Sequence, residues 1–286
     1  RYSNLDYNTY STSNSNGTGS ISDDPLFNDP SKIDYSLSDY SPAIGAGSSS
    51  ITIGSDTYTV QQKDYLGNQR PNPQGSSPDL GAFENSRSEP LPHNTKIYVS
   101  TNGKDEGVGL ENSPFKTIQA AVDYSVDADT IIVKPGTYIE NIEIIQKDIV
   151  LGSLYLISND TSYISQTIID GNQSGNVVKY ENVEGSTTVL NGFTITNGLT
   201  SSDGGGIYCN NSSLRIENTI VNNNMGSEGG GVYIRNSTVS MQDMNIGNNS
   251  SSIGAGIRIL DASSVIIENS VIRNNTANTG SSGFFR

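Results

Sequence analysis

The 286-residue sequence has no tryptophan, one cysteine, one histidine and three methionines. The single thiol, Cys209, cannot form a disulfide within the chain, and a cluster of thiolate metal ligands is impossible. The lone histidine, His93, lies in "NSRSEPLPHNT" at 85–95, so a Ser/His/Asp nucleophile set away from that stretch is excluded. Basic residues are few: 16 Lys and Arg face 30 Asp and Glu, a formal charge of −14. Nucleic acid is therefore a poor partner, because phosphate binding needs a basic surface. Apolar residues are 33% of the chain, and no apolar run approaches the roughly 18 residues that span a bilayer. No membrane insertion is expected. None of the glycine runs leads into Gly-Lys-Ser, so none is a phosphate loop.

Glycine, asparagine and serine are present in an ordered pattern. "GGGIYCNNSSLRIENTIVNNN" at 204–224 is followed by "GGGVYIRNSTVSMQDMNIGNN" at 229–249 and "GAGIRILDASSVIIENSVIRNN" at 254–275. Ile207, Val232 and Ile257 recur every 25 residues, and Leu190, Ile216, Met241 and Ile267 recur every 25 or 26. Ile195, Val221, Ile246 and Ile272 keep the same spacing. Each repeat holds three short segments of period-2 alternation, such as Ile207/Cys209, Leu214/Ile216 and Thr219/Val221. Such alternation is half-buried strand. Three strands in about 25 residues leave no room for a helix, so each repeat is one coil of a parallel β-solenoid. Cys209 alternates inward with Ile207 and is expected as a stacked core thiol.

Sharp turns between strands explain the asparagines, which tolerate left-handed backbone angles. Gly192, Asn218, Asp243 and Asn269 form one expected turn column. Asn197, Asn223, Asn248 and Asn274 form a second, and stacked amides can bond from coil to coil. The glycines at 204–206 and 229–231 are expected at positive φ on the approach to the next strand.

Residues 97–133 have a different texture. "IYVSTNGKDEG" begins as strand, "SPFKTIQAAVDYS" reads as a helix over 113–124, and "DADTIIVKPGTY" returns to strand. Ser113 suits the N-cap and Pro114 the first helical position, with Phe115, Ile118 and Val122 as the apolar stripe. A solenoid end needs covering, so this helix is expected to cap the first of about six coils between residues 130 and 286. The coil near 153–175 is irregular.

"SPFKTIQAAVDYSVDADTIIVKPGTYIENI" resembles the start of pectin-lyase-like right-handed parallel β-helix domains of bacterial extracellular proteins. The glycine-strand-asparagine unit at 204–275 resembles the repeats of chlamydial polymorphic outer-membrane proteins. "DPLFNDPSKIDYSLSDYSPAIGAGSS" and "DYLGNQRPNPQGSSPDLGAFE" resemble the closing segment of choice-of-anchor-type β-helix proteins. These resemblances imply an all-β chain: residues 1–84 as the C-terminal end of one β-helix, 85–95 as a linker, and 96–286 as the capped beginning of another. They also imply an extracellular or bacterial cell-surface location. The sequence starts without Met and shows no signal peptide, so it reads as a segment of something longer.

The superfamily invites polysaccharide lyase or hydrolase chemistry, which needs paired carboxylates or a calcium-binding set with a base. Glu217 and Glu268 share a column two coils apart with Gln242 between them, roughly 10 Å by strand spacing, and a solvated turn edge is the plainer reading. Asp203 and Glu228 precede the glycine runs 25 residues apart and could hold Ca2+ with backbone carbonyls, or be solvated loop charges. Tyr208, Tyr233 and Arg258 point outward, Arg258 as a surface charge. Thr194 and Thr196 do not continue as an ice-binding face, because later coils place Ile220/Asn222 and Asn245/Gly247 there. No catalytic residue or obligatory cofactor is expected. A non-enzymatic extracellular stalk, adhesin or surface-layer module is expected, with a carbohydrate-active enzyme or glycan binder as the alternative. Its partners are copies of itself or further β-helix blocks through open coil ends, at "RYSNLDYN" and "GSSGFFR", and surface glycans.

Overall fold

Period-2 alternation at a fixed 25–26 spacing places like residues above like. In the computed structural model, which describes residues 25–29, 33–105, 109–278 and 283–285, Ile207 pairs with Val232, and Val232 with Ile257, in parallel register. All three are fully buried. Leu190, Ile216, Met241 and Ile267 form a second parallel column, and Ile195, Val221, Ile246 and Ile272 a third. Fully burying one such side chain stabilises by about 1.5–3 kcal/mol, so the columns form the core.

The chain separates into two compact units, residues 1–93 and 94–286. The second is a parallel β-helix. Its first sheet runs from Lys96–Val99 through Thr130–Val133, Val150–Ser153, Val189–Asn191, Ser213–Glu217 and Thr238–Gln242 to Ser264–Glu268. The second sheet has six strands from Gly136–Ile139 to Val271–Arg273, and the third has six from Ile142–Ile145 to Gly283–Phe285. A short fourth sheet of Met225–Glu228, Ser250–Ile253 and Thr276–Ala277 joins the last three coils. Six coils result. Strand Gly283–Phe285 pairs with Ile257–Leu260, with Gly283 opposite Ile257 and Phe284 opposite Arg258. The "RYSNLDYN" end lies outside the described residues.

The capping helix α1 spans Ile118–Tyr124, with Thr117 as its N-cap, its side chain accepting from the Ala120 N–H. This corrects the expected start at Ser113. Phe115 instead bridges to Val99 as an extension of the first sheet, donating its N–H to Tyr98 O and accepting from Ser100 N. Pairing to a strand outweighs the local helix signal of Ser113-Pro114. Phe115, Ile118 and Val122 are nonetheless buried in the solenoid core.

The first coil holds α1 at both ends. The two Glu140 oxygens accept the N–H groups of Ile118 and Gln119, each at 3.0 Å. Lys147 Nζ donates to the carbonyls of Val122, Asp123 and Ser125. Opposite charges thus sit at opposite helix ends, where the exposed N–H and C=O groups attract them. Between them, the Gln119 amide donates to Glu143 O and accepts from Glu143 N, imitating a strand partner along the first strand of the third sheet.

The irregular coil contains two short helices, α2 at Tyr155–Ser158 and α3 at Ser162–Gln166, inserted between the first and second sheets. Register survives the insertion: Gly152 pairs with Asn191, and Thr167 with Gly136. Tyr155 Oη lies 3.2 Å from Asn218 Oδ1, so the insert leans over that turn column.

The described part of the first unit contains two antiparallel pairs, Phe27–Asp29 with Asp34–Leu37 and Ser50–Ile53 with Asp56–Thr59. Leu37, Ala43 and Ile44 make a small core. Buried carboxylates organise the rest. Asp64 accepts from the N–H groups of Leu66, Asn68 and Glu84 and from the Asn68 side chain. Glu84 accepts from Asn72 N and Asp79 N and pairs with Arg70 at 2.7 Å. Asp79 accepts from Gly45 N and Asn85 N. The stretch read as a linker is tied into this unit: Asn85 donates to Leu37 O, Leu91 N to Asp39 O, and His93 packs edge-on to Tyr40.

Candidate functional site: the outer face of the third sheet

The seven non-glycine residues of the two expected turn columns, Asn218, Asp243, Asn269, Asn197, Asn223, Asn248 and Asn274, have φ between 49° and 58°. Gly192, at φ 84°, completes the first column. A third column at the exit of the third sheet, Asn182, Asn211, Asn236 and Asp261, shares this geometry. Of the glycine runs, only Gly204, Gly229 and Gly254 have positive φ. The following glycines serve close approach instead: a Cβ on Gly230 would lie 2.1 Å from Ser250 O, and one on Gly205 2.5 Å from Met225 O.

The coil-to-coil amide ladder lies one residue beyond the second turn column. Asn224 Nδ2 donates to Asn249 Oδ1 at 3.1 Å, and Asn249 Nδ2 to Asn275 Oδ1 at 3.0 Å. The backbone N–H groups of Asn224 and Asn249 donate to the same oxygens. Each amide also donates back to an earlier coil, at Ile195 O, Val221 O and Ile246 O. A parallel serine ladder runs through Ser212, Ser237 and Ser263, whose hydroxyls accept from the N–H of Val183, Ser212 and Ser237. The sequence carried the signal as a doublet, Asn223-Asn224, Asn248-Asn249 and Asn274-Asn275, in which the first turns the chain and the second enters the core.

A column of charged and aromatic side chains lies on the outer face of the third sheet. Lys179, Tyr208, Tyr233 and Arg258 form one vertical column by strand pairing. The tyrosine rings stack with centroids 5.4 Å apart and planes inclined by 5°. Each therefore closes one ring face against the other, which leaves no open tyrosine pair for a sugar to sandwich. Arg258, expected as a surface charge, is only 7% exposed and pairs with Glu228 at 2.8 Å. Tyr233 is 3% exposed; burial, then the Asp203 carboxylate that accepts its hydroxyl, push its phenol up to about 12. Lys179 pairs with Glu181 at 2.7 Å, a hydrogen bond that raises its pKa. Arg235 pairs with Asp261 at 2.5 Å.

Asp203 and Glu228 are thus drawn to different partners, Tyr233 and Arg258. Among the described residues, no three His, Cys, Asp or Glu side chains are grouped to hold a metal ion. Glu217 and Glu268 do align through Gln242 on the first sheet. Glu217 accepts from Asn191 Nδ2 at 3.0 Å and lies 3.6 Å from Arg215, whereas Glu268 is exposed. Cys209 stacks between Tyr180 and Ile234 in the core, and burial pushes its thiol up to about 12. Its burial fits the inward thiol read from the alternation. Thr194 Oγ1 donates to Ile164 O under α3, and Ile220 and Asn245 follow it in register.

The class these observations define is a capped parallel β-helix on whose third-sheet face Lys179, Arg235 and Arg258 each pair with a carboxylate. Comparison of the chain with protein-family models, with curated proteins and with solved structures returned no match.

Proposed function

We propose that this chain is a non-enzymatic structural module of an extracellular or bacterial cell-surface protein, a stalk, adhesin or surface-layer segment built from β-helix blocks. The pectin-lyase-like resemblance of residues 97–286 and the reading of residues 1–84 as the closing end of another β-helix belong to this proposal. The observation that carries it is where the reactive side chains go. Lys179, Arg235 and Arg258 each pair with a carboxylate, and Asp203 takes the Tyr233 hydroxyl. Buried Asn and Ser side chains bond coil to coil. Polar chemistry spent on cohesion favours a rigid spacer over a reaction centre, because catalysis needs a group free to exchange a proton.

Incubation of the purified chain with acidic polysaccharides, with and without Ca2+, tests this reading. No release of unsaturated or reducing sugars is expected. Release that Glu217→Gln or Glu268→Gln abolishes would overturn it in favour of a carbohydrate-active enzyme.

A further inference from the structure

We propose that Tyr208 and Tyr233 are a site of oxidative crosslinking, at which the loss of two electrons joins their rings and ties one coil covalently to the next. The inference stands whether or not the chain is a surface module. The two residues are direct partners on strands Ile207–Asn210 and Val232–Arg235. Their rings are parallel to within 5°, with centroids 5.4 Å apart. Gly204 and Gly229 press on them alike: a Cβ on either glycine would lie 2.9 Å from the tyrosine Cβ, so both side chains leave their strands in the same direction. Other aromatic contacts lack this geometry. Phe27 with Tyr35, Tyr65 with Phe83 and Phe115 with Tyr124 are inclined by 51° to 90°, and none of these pairs brings two phenols together.

The oxidant is a one-electron acceptor of the peroxidase class, supplied with hydrogen peroxide. Tyr208 is half-buried and meets it, whereas Tyr233 is 3% exposed and is oxidised through the stack. Each phenol gives up one electron and its hydroxyl proton. For Tyr233 the proton acceptor is in place, because Asp203 accepts that hydroxyl. The two phenoxyl radicals form one carbon–carbon bond between ring positions beside the oxygens. The hydrogens on those carbons then move to the oxygens and restore both phenols. Two tyrosines and one hydrogen peroxide thus give one biphenol and two waters. Parallel pairing already holds the two backbones about 4.8 Å apart, so the bond needs rotation of the side chains and no movement of the coils.

The test treats the dilute full chain with a haem peroxidase and hydrogen peroxide and isolates the monomer. Its mass is expected to fall by two hydrogen atoms. After trypsin, peptide 180–215 is expected joined to 216–235, with fragmentation placing the link at Tyr208 and Tyr233. The chain has 15 tyrosines, so chance encounters would scatter the links. A stack that holds two rings together should favour this link about tenfold or more over any other. Tyr208→Phe, which keeps the ring and removes the phenol, should abolish it, and Asp203→Asn should slow it several-fold. Oxidised monomer without the joined peptide would overturn the proposal, as would the same link formed equally well in urea, where the stack is gone. An undiminished rate in Asp203→Asn would overturn the proton path.

Discussion

Asn249 accepts two hydrogen bonds from Asn224, one from the backbone N–H at 3.0 Å and one from Nδ2 at 3.1 Å, and both residues are 1% exposed. Its neighbour Asn248 turns the chain at φ 56° and is exposed. Adjacent asparagines therefore have separate physical roles, and substitution separates them. Asn249→Ala leaves several buried donors and acceptors unmatched and is expected to destabilise the solenoid by about 3 kcal/mol, at roughly 1–3 kcal/mol per orphaned group. Asn248→Ala meets only the left-handed backbone penalty, about 1–2 kcal/mol, and Asn248→Gly is expected to be near neutral. Urea midpoints for the three variants check the order; equal losses at 248 and 249 would contradict it.

Val232 sits in the middle of a fully buried column between Ile207 and Ile257. Val232→Asp places a carboxylate there with no cation facing it, at a cost of several kcal/mol. Loss of cooperative unfolding in far-ultraviolet circular dichroism is the expected result, and a wild-type midpoint would show that the column is not core.

The cap gives a pH signature. Burial raises the Glu140 pKa, and the nearby Asp105 charge adds to this, against the lowering effect of the Gln119 and Ile118 N–H groups. A carboxyl with a raised folded-state pKa holds its proton more tightly folded than unfolded, so its contribution is present below the unfolded value and is lost as pH rises through the folded one. Glu140→Gln should flatten this part of the stability profile above pH about 4.5. Deleting residues 113–124 should uncover the first coil edge and cause aggregation, seen by light scattering.

Cys209 is fully buried and its thiol is shifted up to about 12. Alkylation at pH 8 is expected to be limited by opening of the coils, because only the thiolate reacts. Iodoacetamide labelling under native conditions as fast as that of free cysteine would disprove the inward placement.

In the first unit, burial raises the Asp64 pKa, but four hydrogen bonds, from Asn68 (side chain and backbone), Glu84 and Leu66, together lower it. Its contribution is therefore present above the unfolded carboxyl value and disappears as pH falls through the folded one. Asp64→Asn should cost about 2 kcal/mol at neutral pH, as buried N–H groups lose acceptors. It should also remove the acid-side slope, read by exchange of the Leu66, Asn68 and Glu84 amides.

The columns of the solenoid were legible because a 25–26 spacing admits one stacking of Ile207, Val232 and Ile257. The turn asparagines were legible because few side chains tolerate their backbone angles. The start of α1 was not, since Ser113-Pro114 and Thr117 both suit a helix start and only the pairing of Phe115 with Val99 decides between them. Nor was the burial of Arg258: its partner Glu228 is 30 residues away, one coil plus a few residues, and no local pattern joins them. The inner asparagine ladder was hidden because a run of like residues does not reveal which member faces inward.

The helical insert at 155–166 separates chain length from coil number. The backbone leaves the stack after Ser153, makes α2 and α3, and rejoins at Thr167 paired as in the coils around it. Contour length at this corner is thus free to vary while the axial rise per coil stays fixed. A replacement peptide whose ends meet the same separation keeps the coil count, but it gives up the contacts by which the insert ties neighbouring layers together, Tyr155 Oη to Asn218 and Ile164 O to Thr194.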